Sequence, residues 1–95
     1  MELSVIVPCL NEEANVPELV SRIGDVFKVG GIDGELILVD DGSTDGTWAA
    51  IEAAHRESPF VNGRRHAENR GIAAGWKTGV AAARGRLVCI LDADL

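Results

Sequence analysis

Two aspartates lie one residue apart near the end of the sequence, directly after an apolar run. The run Leu87–Leu91 predicts a buried strand, and Asp92 and Asp94 follow it with Ala93 between them. Residues two apart in an extended segment point the same way, so these carboxylates repel each other unless a cation lies beside them. Hard cations such as Mg²⁺ or Mn²⁺ accept carboxylate and phosphate oxygens together. The spacing suits a cation that carries a polyphosphate, but a lone Asp-x-Asp is more often a solvated acidic loop. A second acidic cluster at the end of another apolar run favours the cation site here.

A second acidic pair, Asp40 and Asp41, also ends an apolar run. Adjacent side chains diverge, so we expect Asp41 to face a ligand and Asp40 to brace the turn. Asp is common in turns, so the alternative is that both are structural. Glu12, in the loop after the first apolar run, is either a ligand contact or a solvated charge.

The positions of these residues follow from an alternation of strands and helices. Strands are predicted at Leu3–Pro8, Glu35–Asp40, Phe60–His66 (an edge strand) and Leu87–Leu91. Helices are predicted from an Asn15–Glu18 capping box to Gly30-Gly31, from a Ser43 or Thr44 cap to Ser58, and over Ile72–Ala83. This order indicates an α/β fold, a Rossmann-like parallel sheet with helices on both faces. In such sheets ligands bind beyond the carboxyl ends of the strands, where the Pro8–Glu12 loop and both acidic pairs are expected.

The remaining polar and aromatic residues have spacings more typical of structure than of chemistry. We expect His55 and His66 to be packing or surface residues, and Trp48 and Trp76 to lie in the core. Gly75 and Gly79 would let the third helix pack closely on the sheet. Arg64 and Arg65 are predicted to be solvated charges on the edge strand.

Composition limits the classes of function. The chain has 95 residues, enough for one small domain, and a net charge of −6, so no nucleic-acid partner is expected. Its two cysteines, Cys9 and Cys89, are predicted to be free thiols of a cytoplasmic protein, with a disulfide as the alternative. The sequence starts without a basic, signal-like segment, and its apolar runs are too short to span a bilayer.

Four ordered motifs resemble those of the inverting family 2 glycosyltransferases. They are Ser4–Pro8 with Asn11–Glu13, Val39–Thr47, Glu68–Gly71 and Leu91–Leu95. The resemblance implies a GT-A fold, of which residues 1–95 would be the amino-terminal, nucleotide-sugar-binding half. The Asn-Glu-Glu and Asp-Ala-Asp-Leu segments are most similar to the branch of dolichol- and polyprenyl-phosphate sugar transferases. That branch implies a polyprenyl phosphate acceptor and a full-length protein at the cytoplasmic face of a membrane.

The resemblance also implies roles for individual residues. Pro8, Leu10 and Glu12 would line the base and ribose pocket, with Leu10 where the family often has an aromatic side chain. Asp41, with Val39 beside it, would bind the base of a UDP- or GDP-sugar, and Asp92 and Ala93 would contact the nucleotide sugar. Asp94, helped by Asp92, would hold Mg²⁺ or Mn²⁺ on the diphosphate. The general base would lie beyond Leu95, so no catalytic residue is assigned and the isolated chain is expected to be inactive.

Two other functions stay open at this point. A metal-dependent phosphohydrolase could use one Asp of the Asp-x-Asp pair as nucleophile, although that class usually has the pair after an early strand. A nucleotide-binding fragment without activity is the second alternative. We also expect self-association, because the last strand and third helix would leave apolar surface uncovered.

Overall fold

The computed structural model describes residues 1–94, which form one parallel sheet flanked by helices. The strands are β1 Leu3–Cys9, β2 Gly34–Asp41, β3 Val61–His66 and β4 Leu87–Ile90, and the helices are α1 Val16–Gly30, α2 Thr47–Glu57 and α3 Ile72–Ala82. The strand order is β3-β2-β1-β4, and every neighbouring pair is parallel. The predicted α/β, Rossmann-like fold is confirmed, as is the edge position of β3.

The two faces of the sheet are covered by different helices. Side chains alternate along β1 and β2, so that Val5 and Leu38 lie in a core with residues of α1 and α2, whereas Ile6 and Ile37 pack towards the end of α3. The central strands have no solvated face, which explains why β2 is apolar almost throughout its length.

The ends of α1 agree only partly with the prediction. Gly31 ends the helix in the left-handed conformation, with φ 61°, as the Gly-Gly pair predicted. Asn15 is the N-cap residue, but its side chain makes no cap hydrogen bond. The predicted capping box with Glu18 is therefore wrong. The Asn15 side-chain amide instead donates to Glu12 at 2.8 Å, and Glu18 pairs with Arg22 on the helix surface.

Gly75 and Gly79 bring α3 close to the sheet, as predicted. A Cβ on Gly75 would lie 3.1 Å from Pro8 Cβ, and one on Gly79 would overlap the Cγ2 of Ile6. The larger apolar side chains of this helix point elsewhere, and Trp76 is 41% exposed. The expectation that Trp76 is a core residue was wrong, because the two glycines occupy the face that contacts the sheet.

Strand β4 is exposed, although its apolar run predicted burial. Leu87 is 68% exposed and Ile90 is 43% exposed, while Cys89 is half-buried against the core. The prediction of burial was wrong because β4 is an edge strand, which among the described residues pairs only with β1. Sequence composition reports how apolar a strand is but not whether a neighbour covers it.

A buried carboxylate fastens the end of the sheet opposite the acidic clusters. Glu35 accepts hydrogen bonds from Ser4 Oγ at 2.7 Å and from the Arg84 backbone N–H at 2.7 Å, and the Arg84 guanidinium lies 3.1 Å away. Burial would raise the pKa of Glu35, but the hydrogen bonds from Ser4 and Arg84 and the charge of Arg84 outweigh it and lower that pKa. The turn between α3 and β4 is thereby tied to β1 and β2.

The contact between Gly79 and Ile6 can be tested with Gly79→Ala, for which helix propensity and close packing predict opposite changes in stability. Helix propensity alone predicts that Gly79→Ala stabilises the protein by about 1 kcal/mol. We expect a net loss of about 1–2 kcal/mol in the free energy of unfolding, because Ile6 is fully buried and cannot move aside. Urea unfolding measures this, with the exposed Ala81→Gly as the propensity control. A more stable Gly79→Ala variant would contradict the close packing.

Candidate functional site

A cavity of about 570 Å³ opens at the carboxyl edge of the sheet. It lies beside the ends of β1 and β4. The strand order reverses between these two strands, which is where ligands bind in open parallel sheets. Its lining combines apolar and acidic side chains: Pro8, Cys9, Leu10, Glu12, Asp41, Asn69, Gly71, Ile72, Asp92, Ala93 and Asp94. Loops that are far apart in sequence thus contribute to one surface.

Most of the residues predicted for the site lie together in this cavity. Pro8, Leu10, Glu12, Asp41, Asp92, Ala93 and Asp94 line it. The exception is Val39, whose side chain is fully buried with Ile6 and Ile37 under the end of α3. Val39 was predicted to lie in the site beside Asp41, but it does not line the cavity: the residue lies within the sheet, paired with a strand on each side.

Asp41 forms part of the cavity wall and is held by three donors. Its Oδ1 accepts from His66 Nδ1 at 2.8 Å and from the Arg70 backbone N–H at 2.8 Å, and its Oδ2 accepts from the Gly71 backbone N–H at 3.0 Å. Burial would raise the pKa of Asp41, but the hydrogen bonds from His66, Arg70 and Gly71 outweigh it and lower that pKa. The cavity therefore contains a fixed, ionised carboxylate.

His66 holds Asp41 from behind the cavity wall, a contact that the sequence did not predict. It is buried, with Nδ1 on Asp41 and Nε2 on the Thr78 hydroxyl at 2.7 Å. An ionised carboxylate can only accept hydrogen bonds. The Nδ1 of His66 therefore carries a hydrogen and donates a hydrogen bond to Asp41. The relevant pattern is the parallel register, in which Asp41 pairs with His66. Two polar residues side by side at strand ends indicate such a contact once the register is known.

Asp40 is fully buried and braces the turn, as the sequence suggested. Its Oδ1 accepts from the Ser43 backbone N–H at 3.0 Å, whereas Oδ2 has no hydrogen-bond partner among residues 1–94. The Nε of Arg65 lies 3.8 Å from Oδ2, and its guanidinium carbon lies 5.6 Å from the centre of the Trp48 ring. Arg65 is therefore not a freely solvated charge, because it lies between Asp40 and an aromatic face.

The loop after β1 is fastened to the loop after β2 through Asn11. Asn11 adopts a left-handed conformation, with φ 53°. Its side-chain Oδ1 accepts from the backbone N–H groups of Thr44 at 2.9 Å and Asp45 at 3.3 Å, and its own N–H donates to Ser43 Oγ at 2.9 Å. The Asn-Glu-Glu and Asp-Gly-Ser-Thr-Asp segments therefore brace each other, and sequence analysis did not foresee this structural role.

The same brace explains how α2 begins. Ser43 and Thr44 were predicted to cap this helix, but the N-cap residue is Gly46, with no side-chain cap bond. Both hydroxyl residues contact Asn11 instead. The carboxylate of Asp45 accepts from the Thr47 N–H at 2.9 Å, and Glu13 accepts from the Gly46 N–H at 3.0 Å. These two carboxylates satisfy the first two backbone N–H groups at the start of α2, those of Gly46 and Thr47.

Asp92 and Asp94 are exposed at the mouth of the cavity, and Ala93 between them is buried in the core. Strand β4 has already ended at Ile90 and the chain bends at Ala93, which leaves both carboxylates outside the core. Leu91 still pairs with β1 through its N–H, which lies 3.0 Å from the Ile6 carbonyl oxygen. The acidic segment therefore starts where the sheet ends.

Both cysteines are free thiols, as predicted, so the alternative of a disulfide does not hold. Cys9 lines the cavity, but burial, with Glu12 and Asp40 nearby, raises the pKa of its thiol to about 12. A thiol that stays protonated at neutral pH is a poor nucleophile. Cys9 therefore contributes packing to the cavity wall.

The donor set fits a cation that shares its ligands with a phosphate. Within residues 1–94 no group of three or more His, Cys, Asp or Glu side chains is arranged to hold a metal ion by itself. Asp92 and Asp94 supply carboxylate oxygens at one cavity mouth. Mg²⁺ typically takes one or two carboxylates and completes its shell with water and phosphate oxygens, so two aspartates are sufficient.

The sequence matches a family model described as glycosyl transferase family 2 over residues 4–95. The chain belongs to glycosyl transferase family 2. A curated relative, the dodecaprenyl-phosphate galacturonate synthase of Rhizobium johnstonii, is 41% identical over 96 residues. That match covers 100% of this chain and 28% of the relative, so the chain spans little more than a quarter of the protein it resembles.

Two solved structures share the fold of this family 2 chain. A mannosyltransferase from Pyrobaculum calidifontis in complex with GDP-Man and Mn²⁺ superposes with a TM-score of 0.83 at 31% identity, covering 98% of this chain and 27% of that one. Residues 1–349 of S. aureus TarS in complex with UDP-GlcNAc give a TM-score of 0.83 at 30% identity, covering 99% and 27%. The predicted resemblance to the family and to the GT-A fold is thus confirmed.

In the described part of this chain, none of the helices has the length and apolar character needed to cross a membrane.

The brace around Asn11 can be tested with two substitutions at the same position. Asn11→Gly removes the side-chain acceptor but tolerates the positive φ, and we expect it to cost about 1 kcal/mol of unfolding free energy. Asn11→Ala removes the same acceptor and adds backbone strain, so it should cost about 1 kcal/mol more. Urea unfolding of both variants gives the comparison. Equal stability of the two variants would show that the backbone conformation of Asn11 is unimportant.

The depressed pKa of Asp41 predicts how stability depends on pH. Because its pKa is lower in the folded than in the unfolded chain, Asp41 contributes stability that is fully present above its unfolded pKa of about 3.9 and is lost as the pH falls through the folded value. Asp41→Asn should cost about 1–3 kcal/mol at pH 7. The stability difference between the two proteins should shrink below about pH 4. A difference that stays constant down to pH 3 would contradict the ionised, buried carboxylate.

Proposed function

We propose that this chain is the nucleotide-sugar-binding part, residues 1–95, of a glycosyltransferase that uses a UDP- or GDP-linked sugar. The observation that supports the proposal is the single cavity in which Asp41 and the Asp92–Asp94 segment meet at the reversal of strand order. The similar mannosyltransferase and TarS structures contain GDP-Man and UDP-GlcNAc, respectively. A cavity with an apolar side, a fixed carboxylate and two exposed aspartates matches the base, ribose and diphosphate of such a donor.

Each part of the cavity has a chemical counterpart in the donor. Leu10 is 45% exposed and offers an apolar surface for a base, although without the stacking of an aromatic ring. Asp41 can accept an N–H of the base, and Glu12 lies near enough to line the same pocket. Asp94, with Asp92, would hold Mg²⁺ or Mn²⁺, a cation that when bound offsets the negative charge developing on the departing diphosphate. The mannosyltransferase relative contains Mn²⁺.

The acceptor in this proposal is a polyprenyl phosphate. The support is the 41% identity to a dodecaprenyl-phosphate galacturonate synthase across the whole chain. Because such an acceptor is a membrane lipid, we propose that the full-length enzyme works at the cytoplasmic face of a membrane. The general base and the acceptor site then belong to segments beyond Leu95, so the chain alone binds donor but is not expected to transfer sugar.

A phosphohydrolase is not favoured as the alternative function. The family match and the relatives are transferases. A hydrolase that uses an Asp nucleophile would also need a lysine side chain beside its metal-bound phosphate, and among the described residues the cavity lining contains no lysine. The acidic pair is therefore better suited to bind a cation than to attack phosphorus.

The assignment of Asp94 can be tested by a charge-matched pair of variants. We expect UDP or GDP to bind the chain more tightly with Mn²⁺ than without it. Asp94→Asn deletes a ligand oxygen and should reduce this enhancement of affinity by about tenfold or more. Asp25→Asn, on the exposed surface of α1, makes the same charge change and should leave the enhancement intact. Calorimetric titration with and without Mn²⁺ gives the enhancement for each of the three proteins. Full enhancement in Asp94→Asn would remove this residue from the cation site.

We also propose that the isolated chain self-associates through β4 and the outer face of α3. The support is the free edge of β4 and its exposed Ile90 and Leu87, together with the exposed Trp76. An uncovered apolar edge strand is a template for pairing with a second copy of the chain.

Sedimentation velocity tests self-association with a pair of lysine variants. Ile90→Lys should weaken association by about tenfold or more, because it replaces buried apolar contact with a charge. Val29→Lys, at an 89% exposed position on α1, should leave association unchanged. A wild-type chain that stays monomeric at high concentration would refute the proposal.

A further inference from the structure

The number of acceptor positions left on Asp41 discriminates between nucleobases. An ionised carboxylate offers about four lone-pair positions, two on each oxygen. Within residues 1–94, Oδ1 already accepts two hydrogen bonds, from His66 Nδ1 and the Arg70 N–H, and Oδ2 accepts one, from the Gly71 N–H. One position therefore remains, and it is on Oδ2.

The Asp41 side chain cannot readily rotate to free a second acceptor position. It is 5% exposed, and two of its three donors are backbone N–H groups of the loop that precedes α3. The third donor, His66, is itself held on its far side by Thr78, at 2.7 Å from Nε2. A rotation that freed Oδ1 for a ligand would leave buried donors without an acceptor, which is costly in a desolvated site.

Bases differ in how many adjacent N–H donors they present. Guanine has N1–H and the 2-amino group side by side, a pair that is best satisfied when both oxygens of a carboxylate are free. Uracil and thymine have a single imide N3–H between two carbonyl groups. A carboxylate with one free position on one oxygen matches the single imide donor and leaves one guanine N–H without an acceptor on Asp41.

We infer that the donor is a pyrimidine nucleoside diphosphate sugar whose base carries an imide N–H, uracil or thymine, and that His66 excludes guanine by occupying Asp41. The inference rests on the proposed function, because it assigns a base to the same cavity. His66 acts here as a positioning residue. It does not need to touch the base, since its effect is to remove an acceptor position from Asp41.

Titration of the wild-type chain with UDP, thymidine diphosphate and GDP, each with Mn²⁺, tests the inference. We expect at least one of the two imide nucleotides to bind about tenfold more tightly than GDP, which is the order of magnitude that an unpaired donor costs. UDP methylated at N3 should lose a similar factor, because its donor is blocked. GDP binding as tightly as the better imide nucleotide, or full affinity of the methylated UDP, would overturn the inference.

A pair of variants tests the role of His66. His66→Phe removes the donor to Asp41 and should reduce the preference over GDP by about tenfold, because Oδ1 regains a free position. His66→Asn keeps a side-chain N–H and should preserve the preference. If His66→Phe retains the full preference, His66 is not the residue that excludes guanine.

The wild-type titrations decide the choice of base even where the phenylalanine variant does not fold. Preference for GDP would refute this inference alone. Failure of all three nucleotides to bind would refute the proposed function as well.

Discussion

The buried carboxylate of Asp41 is the interaction on which the arrangement of the site depends. A buried anion is tolerated only where donors satisfy it, and Asp41 draws those donors from the end of β3 and from the loop before α3. The end of β2 is thereby joined to His66 and to the Arg70–Gly71 turn. Without these bonds, the loop carrying Asn69 and Gly71 would lose its fixed position at the cavity.

A second set of hydrogen bonds fixes the opposite wall of the cavity. Asn11 and Glu13 bind backbone groups of the loop after β2, so the segment that includes Leu10 and Glu12 cannot move independently of Asp41. The motif residues thus divide into two groups. Leu10 and Glu12 face the cavity, whereas Asn11 and Glu13, their immediate neighbours, hold the two loops together.

Apolar runs and helix-ending glycines were enough to predict the order of strands and helices. Parallel pairing then placed the acidic clusters at one edge, where Asp41 and Asp94 line the same cavity. Prediction failed where a residue's role depends on a partner distant in sequence. Ser43 and Thr44 could have capped α2 by local rules, but Asn11, more than thirty residues earlier, recruits them instead.

Burial was also harder to predict than secondary structure. The apolar run at β4 is as hydrophobic as a central strand, yet Ile90 is 43% exposed because the strand lies at an edge. Glu35 shows the opposite case: a charged residue that sequence patterns assign to a strand end is buried by contacts with Ser4 and Arg84. Both outcomes depend on strand order and on long-range pairing, which one sequence does not specify.

The central claim is that one prebuilt cavity binds a nucleoside diphosphate with its cation. An ¹⁵N-resolved NMR titration of the chain with UDP and Mg²⁺ tests it most directly. We expect chemical-shift changes confined to amides of the cavity lining, namely Cys9, Leu10, Glu12, Asp41, Gly71 and the Asp92–Asp94 segment. Shifts concentrated in the separate groove between α2 and β3, around Trp48, His55 and Arg64, would contradict it.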